Sequence, residues 1–292
     1  MLLANLGWGI MSPISKDVML SQTISPLALS GIRILGGATM FLLFSFILPE
    51  SMQPRQKIDR TDWKSLLLAS VLIISANQGL FILGVGMTNP IDSSVMSSLT
   101  PVFTMILSAI FLHYRLTWLK ITGVAIGLLG TLLLVFNSPQ SGIATNPVMG
   151  DSMCLLAQIC AAVYYVAFGR IIDKYSPYTL MKWLFFLSAV TYVPFCIPAI
   201  LSVDFQALGW KIWLETAYII VIATFISYLM IPVAQRQLKP TVVSMYNYLQ
   251  PVVAAMVAVG LGVGTFGPVK GLATLLVFFG IYLVNMNSRN QN

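Results

Sequence analysis

Apolar runs dominate the chain, and the polar residues inside them recur at helical rather than alternating spacing. Charge-poor stretches fall at roughly 2–19, 27–48, 64–86, 93–112, 118–136, 150–170, 179–200, 212–235, 241–261 and 267–286. A hydrocarbon core about 30 Å thick takes about 20 helical residues at 1.5 Å rise, so each stretch predicts one membrane span. The expected fold is an all-α polytopic membrane protein with ten transmembrane helices. The longest connections, Glu50 to Asp62 and Asn137 to Pro147, are rich in turn formers and too short to bury a core of their own.

Writing the second half under the first at a constant offset of 150 residues aligns Trp63 with Trp213, Pro90 with Pro240, Ser94 with Ser244, Pro101 with Pro251, Lys120 with Lys270 and Gly130 with Gly280. This divides the chain into a first five-helix repeat at 1–136, a linker at 137–149, a second repeat at 150–286 and a tail at 287–292. Five is odd, so the second copy enters the membrane upside down relative to the first. Inverted repeats of this kind place a binding site near the midplane and expose it to each side in turn, which makes transport the leading expectation.

Composition agrees with the pattern: 58% of the 292 residues are hydrophobic and 9% charged, against about 25% charged in an ordinary soluble domain. The first span starts almost at Met1 without a basic leader or cleavage site, so it reads as a retained helix. With a cytoplasmic N-terminus, twelve Lys and Arg fall in inner segments and three, Lys16, Lys211 and Lys270, in outer ones. That bias places both termini in the cytoplasm. It also accounts for the net charge of +7 without a nucleic-acid partner, since no basic run is interleaved with aromatics. Cys154, Cys160 and Cys196 lie within spans without ligand spacing and read as packing residues.

Polar residues within the spans are the candidate chemistry, because an unsatisfied polar group facing lipid costs several kcal/mol. On one face of the fourth span lie Ser94, Ser97, Ser98, Pro101, Thr104 and Ser108; the ninth carries Ser244, Asn247, Tyr248, Gln250 and Pro251 at related positions. Asn77, Gln78 and Phe81 in the third span correspond to Ser227, Tyr228 and Ile231 in the eighth. Asn5 and Trp8 in the first span and Gln158 and Tyr165 in the sixth complete the set expected to line one substrate cavity. The alternative is that such residues act as interhelical glue. Pro101 and Pro251 are expected to bend their helices. Gly123 and Gly127 form a GxxxG whose partner, internal or in another protomer, is open.

Arg33 is the one cation deep within a span. It is a possible charge site that snorkels outward, pairs with Asp17 or Asp92, or binds a substrate carboxylate. No Asp or Glu occupies a span centre and His113 falls at a span end, so coupling to protons stays open. Neither a catalytic constellation nor a metal-ligand cluster is present, so no enzyme, metal or cofactor is expected. Gly262, Gly264 and Gly267 satisfy GxGxxG, but they join two spans and follow no strand, and no phosphate-binding GxxxxGK[ST] occurs.

The segments NPIDSSVMSSLTPVFTMILSAIFLHYRLTWLKITGVAIGLLGTLLLV and KPTVVSMYNYLQPVVAAMVAVGLGVGTFGPVKGLATLLVFFGIYLV resemble the paired signature of the EamA-type drug/metabolite transporter family. The resemblance rests on Pro101, Pro251, Gly130 and Gly280 and extends over essentially the whole chain. It implies a central cavity between two inverted repeats, a bacterial cytoplasmic-membrane location, and outward movement of amino acids, other metabolites or drugs. The expected partners are a small-molecule substrate and the lipid bilayer, with the oligomeric state open and a monomer compatible. A multidrug carrier, a nucleotide-sugar or phosphate carrier, and a non-transporting sensor remain as alternatives. One departure stands out: where the family commonly has a Glu before the loops after the fourth and ninth helices, this chain has Tyr114 and Gly264.

Overall fold

A computed structural model describes residues 1–20, 23–47, 56–88, 93, 96–114, 116–136, 145–260 and 267–289. Among these, every regular element is helical. The first half contains α1 (Leu2–Leu20), α2 (Pro26–Ile47), α3 (Trp63–Ser70), α4 (Asn77–Met87), α5 (Thr100–Phe111) and α6 (Trp118–Phe136). The second contains α7 (Pro147–Ala167), α8 (Gly169–Lys174), α9 (Pro177–Leu201), α10 (Trp210–Ile220), α11 (Ser227–Gln235), α12 (Pro240–Met245), α13 (Leu249–Gly260) and α14 (Pro268–Arg289). The starts are written in the sequence. Asn146 and Ser176 accept hydrogen bonds from Met149 N and Thr179 N, and each is followed by a proline whose missing N–H costs nothing in a first turn.

Five continuous helical stretches are long and apolar enough to cross a bilayer: Pro26–Ile47, Arg60–Met87, Pro147–Ala167, Pro177–Leu201 and Trp210–Gln235. Shorter apolar helices cover Thr100–Phe111, Trp118–Leu133 and Gly271–Met286. Large apolar side chains stand on the outside of the bundle, among them Phe46, Trp118, Phe195, Leu201 and Trp210, each more than three-quarters exposed. A water-facing surface would not carry such a belt, whereas lipid tails solvate it. The chain is a multi-pass membrane protein.

Helices that correspond at the 150-residue offset pack on one another, α2 against α9 and α6 against α14. The remaining contacts come in matched sets, with α7 on α4 and α5, and α1 on α10, α11 and α13. The α6–α14 seam brings backbone against backbone. A Cβ on Gly280 would lie 2.6 Å from both Gly123 O and Gly127 N, and one on Gly130 would lie 2.7 Å from Ala273 O. The partner of the Gly123/Gly127 motif is therefore within the chain.

Pro101 and Pro251 do not sit within unbroken helices. Pro101 occupies the first turn of α5, and Pro251 the first turn of α13, directly after a 3₁₀ turn at Tyr246–Tyr248. The irregularity precedes each proline, and the proline restarts the helix in the one place where its lost N–H is unneeded. Cys154 and Cys196 are buried and Cys160 half-buried, all as free thiols. At the opposite end of the bundle from Lys16, Lys174 bridges Asp59 and Asp62, and these carboxylates hold its ammonium well above the ordinary lysine range.

Candidate functional site

Helices from both halves converge on one partly open cavity with mixed polar and apolar walls. It is lined by Trp8 and Met11 of α1, Arg33 of α2, Asn77, Gln78 and Phe81 of α4, Gln158, Ala161 and Tyr165 of α7, Tyr228 and Ile231 of α11, together with Ile73, Ser97, Asn247 and Gln250. Its free volume is about 50 Å³. A single water needs about 10–15 Å³ measured this way, so the space holds a few waters or a small solute.

Local backbone irregularity brings the polar groups in. Between α3 and α4 the helix widens into a π turn at Val71–Ala76, and between α10 and α11 it does so again at Val221–Ile226, 150 residues later. A π turn breaks the i→i−4 ladder and is frequent at functional sites. Here it leaves Ala223 O to external donors: Trp8 Nε1 binds it at 2.8 Å and an Arg33 terminal nitrogen at 3.4 Å. Arg33 Nε also donates to Thr224 Oγ1 at 2.7 Å, and the guanidinium lies 5.9 Å from the centre of the Tyr228 ring.

Arg33 thus neither snorkels nor pairs with Asp17, which binds Lys211 instead at 2.5 Å. It is only 2% exposed and has no carboxylate partner among the described residues; Asp92 lies outside them. Asn77 links the halves, donating to Ala157 O at 2.9 Å and accepting from the Tyr228 hydroxyl at 3.3 Å. Gln158 accepts from Thr100 Oγ1 at 2.8 Å. Gln250 donates to Asn5 Oδ1 at 3.0 Å. Gln78 lies against the Tyr228 hydroxyl, yet neither end of its amide makes a well-formed hydrogen bond, and Asn247 Oδ1 is likewise unpartnered. Buried amides left open in this way are groups for a solute or water to satisfy.

Four expected cavity residues are placed elsewhere. Tyr248, next to Asn247 and so about a third of a turn away from it, is fully buried in the core formed with α6 and α14 and donates to Val124 O at 3.1 Å. Ser227 turns back to Ile222 O at 2.8 Å, satisfying a carbonyl of the π turn. Asn5 stands behind Gln250 rather than at the surface of the cavity. Ser98 is buried outside the lining, while Ser97 lines it and bonds Ser93 O at 3.0 Å. Ser94 and Gly264 lie outside the described residues. Sequence reasoning missed the apolar walls Met11, Ile73 and Ala161. In an apolar span such residues carry no signal that separates cavity wall from lipid face.

These placements separate two substitutions. Asn247→Ala is expected to lower solute binding with little change in unfolding temperature. Tyr248→Ala leaves a void in the α6–α14 core and is expected to cost about 3–5 kcal/mol in stability. Thermal unfolding of the two purified variants, set beside a solute-binding or flux assay, checks the contrast.

A second, wider recess of about 380 Å³ opens beside the first, with Tyr165 lining both. Arg170, Asp173, Arg236 and Lys239 stand on its walls. Arg236 holds Ile172 O at 3.1 Å and Tyr175 O at 2.6 Å, closing the end of α8. On the opposite side of the bundle Lys16 Nζ donates to Val85 O at 3.1 Å and Thr88 O at 3.3 Å, covering the end of α4. Tyr114, at the place where a Glu would be expected, has Lys120 and Lys239 each 5.9 Å from its ring centre. Its π face gathers two cations where a carboxylate would pair with them.

A family model described as the EamA-like transporter family matches residues 1–136 and again 148–286. An uncharacterized transporter of Archaeoglobus fulgidus is 27% identical over 70% of this chain and 69% of its own. The uncharacterized inner membrane transporter YicL of Salmonella typhimurium is 24% identical over 99% of this chain and 95% of its own. A solved crystal structure covers 99% of this chain and 96% of its own at a TM-score of 0.75 and 16% identity, a likeness of fold.

Proposed function

The chain belongs to the EamA-like transporter family, and from that premise we propose that it is a secondary transporter exporting a small metabolite, such as an amino acid, across the bacterial cytoplasmic membrane. The observation that carries this reading is the cavity of mixed polarity built from both halves, with the Gln78 amide and Asn247 Oδ1 left open beside it. In this reading Trp8, Arg33, Asn77, Gln78, Ser97, Gln158, Tyr165, Tyr228, Asn247 and Gln250 contact the solute.

The reading includes ten helices in two inverted five-helix repeats that work by alternating access. The 150-residue offset shared by the π turns and the matched packing of α1 and α7 support it. The charge bias supports cytoplasmic termini. With that topology the wide recess faces the cytoplasm, while the Lys16 contacts and the Asp17–Lys211 pair close the outer side. The small volume favours a small solute over a bulky drug.

Uptake into proteoliposomes of a panel of amino acids and cationic drugs, with and without an imposed proton gradient, tests this. Saturable flux of at least one small metabolite is expected. No flux of any compound would overturn the reading.

A further inference from the structure

We propose that Arg33 anchors a carboxylate, so that this cavity takes small carboxylate-bearing solutes and rejects amines and other cations that lack one. The proposal deepens the transporter reading and rests on it for the identity of the cavity as a solute site.

A guanidinium removed from water is costly unless a charge partner repays it. Arg33 is 2% exposed, yet its two protein hydrogen bonds go to neutral oxygens of one π turn, Thr224 Oγ1 and Ala223 O. A guanidinium has five N–H donors in a planar fork that matches a carboxylate. Those not occupied by the π turn belong to a residue that lines the cavity. No Asp or Glu lines that cavity among the described residues, so a solute anion is the group that would neutralise it. The open amides of Gln78 and Asn247 add neutral polar contacts for the rest of the solute, including an amino group where one is present.

The approach carries the same sign. Among the described residues of the adjoining recess, Arg170, Arg236 and Lys239 face a single carboxylate, Asp173. A recess with excess positive charge concentrates anions and repels cations. Tyr165, shared by both spaces, stands between this collecting surface and Arg33.

The test uses the full chain in detergent with two matched sets of probes: propionate, alanine and ethylamine, and phenylpropionate, phenylalanine and phenethylamine. Within each set the body is held nearly constant while the carboxylate and the amine are present or absent. Binding is read by thermal unfolding and by titration calorimetry. The carboxylate-bearing members of at least one set are expected to bind ten-fold or more tightly than the amine. Arg33→Gln is expected to lower that affinity at least ten-fold. Arg33→Lys, which keeps the charge but loses the fork, should fall between the two.

Without ligand, Arg33→Gln is expected to unfold at the wild-type temperature or above, and Asp92→Asn to leave carboxylate affinity unchanged. Amines binding as well as acids, no binding of any probe, unaltered affinity in Arg33→Gln, or loss of affinity in Asp92→Asn would each overturn the proposal. A large drop in ligand-free unfolding temperature for both Arg33 variants would also do so, marking a structural role. Binding is measured apart from transport: carboxylate binding without flux in proteoliposomes would sink the transporter reading alone, and flux of an amine would sink this inference alone.

Discussion

Gly280→Val is expected to leave almost no folded protein in the membrane. The added Cβ would stand 2.6 Å from Gly127 N and 2.8 Å from Gly127 Cα, both backbone atoms, and the opposing helix has no flexible side chain there to move aside. Relief requires α6 and α14 to separate along a seam that also holds Val124, Val277, Val284 and the ring of Tyr248. Overpacking a core costs about 1–3 kcal/mol and sometimes more. Loss of the surrounding close contacts adds to it, so a total of about 5 kcal/mol, on the scale of a domain's whole stability, is expected. Gly209→Ala is the control, because a Cβ there meets nothing within 4 Å and the backbone φ is −64°. Size-exclusion profiles of detergent extracts should show a monodisperse peak for Gly209→Ala and aggregate for Gly280→Val. A normal peak for both would mean that the seam tolerates separation.

Trp8→Ala is expected to have the largest effect on solute handling of any aromatic substitution in the cavity. The indole does two things at once: its N–H binds the carbonyl freed by the second π turn, and its ring meets the Tyr228 ring edge-on at 5.4 Å. Removing the hydrogen bond alone, as in Trp8→Phe, costs the intact cavity wall about 0.5–1.5 kcal/mol; since the solute binds the intact wall, up to roughly ten-fold in affinity goes with it. Removing the ring contact as well adds a similar amount, so Trp8→Ala should reduce binding further, by up to roughly 100-fold. Calorimetric affinities of both variants for whichever solute binds the wild-type chain check the order Trp8, then Phe, then Ala. Equal affinities for Phe and Ala would show that the hydrogen bond, not the ring, carries the effect.

The helical bundle was legible because membrane insertion writes itself as length and charge poverty, and the exposed apolar belt and buried polar interior follow from that rule. The cavity was legible where a costly amide or large amphipathic ring sat on the inward face: Asn77, Gln78, Gln158, Asn247 and Tyr228 all reach it. Legibility failed where the backbone departs from 3.6 residues per turn. Tyr248 follows Asn247 directly at a 3₁₀ turn, and which of the two meets the cavity and which enters the α6–α14 core is set by the helices packed on either side, which chain order does not give. Ser227 stands at the end of the second π turn, where its hydroxyl joins its own N–H on Ile222 O instead of facing the cavity. Tyr114 shows a different limit, because its ring meets Lys120 and Lys239 from segments far apart in the chain.

The paired π turns also bear on how closely the two halves correspond. A π turn holds one residue more than the α-helical path it interrupts. Had a single half gained that residue after the halves diverged, the offset between them would change on passing it. It does not: Trp63 and Trp213 before the turns, and Pro90 and Pro240 after them, are all 150 residues apart. The two turns therefore occupy matched positions in the two halves, and the widened helix beside Ala223 O has a counterpart at Val71–Ala76 with the same flanking spacing.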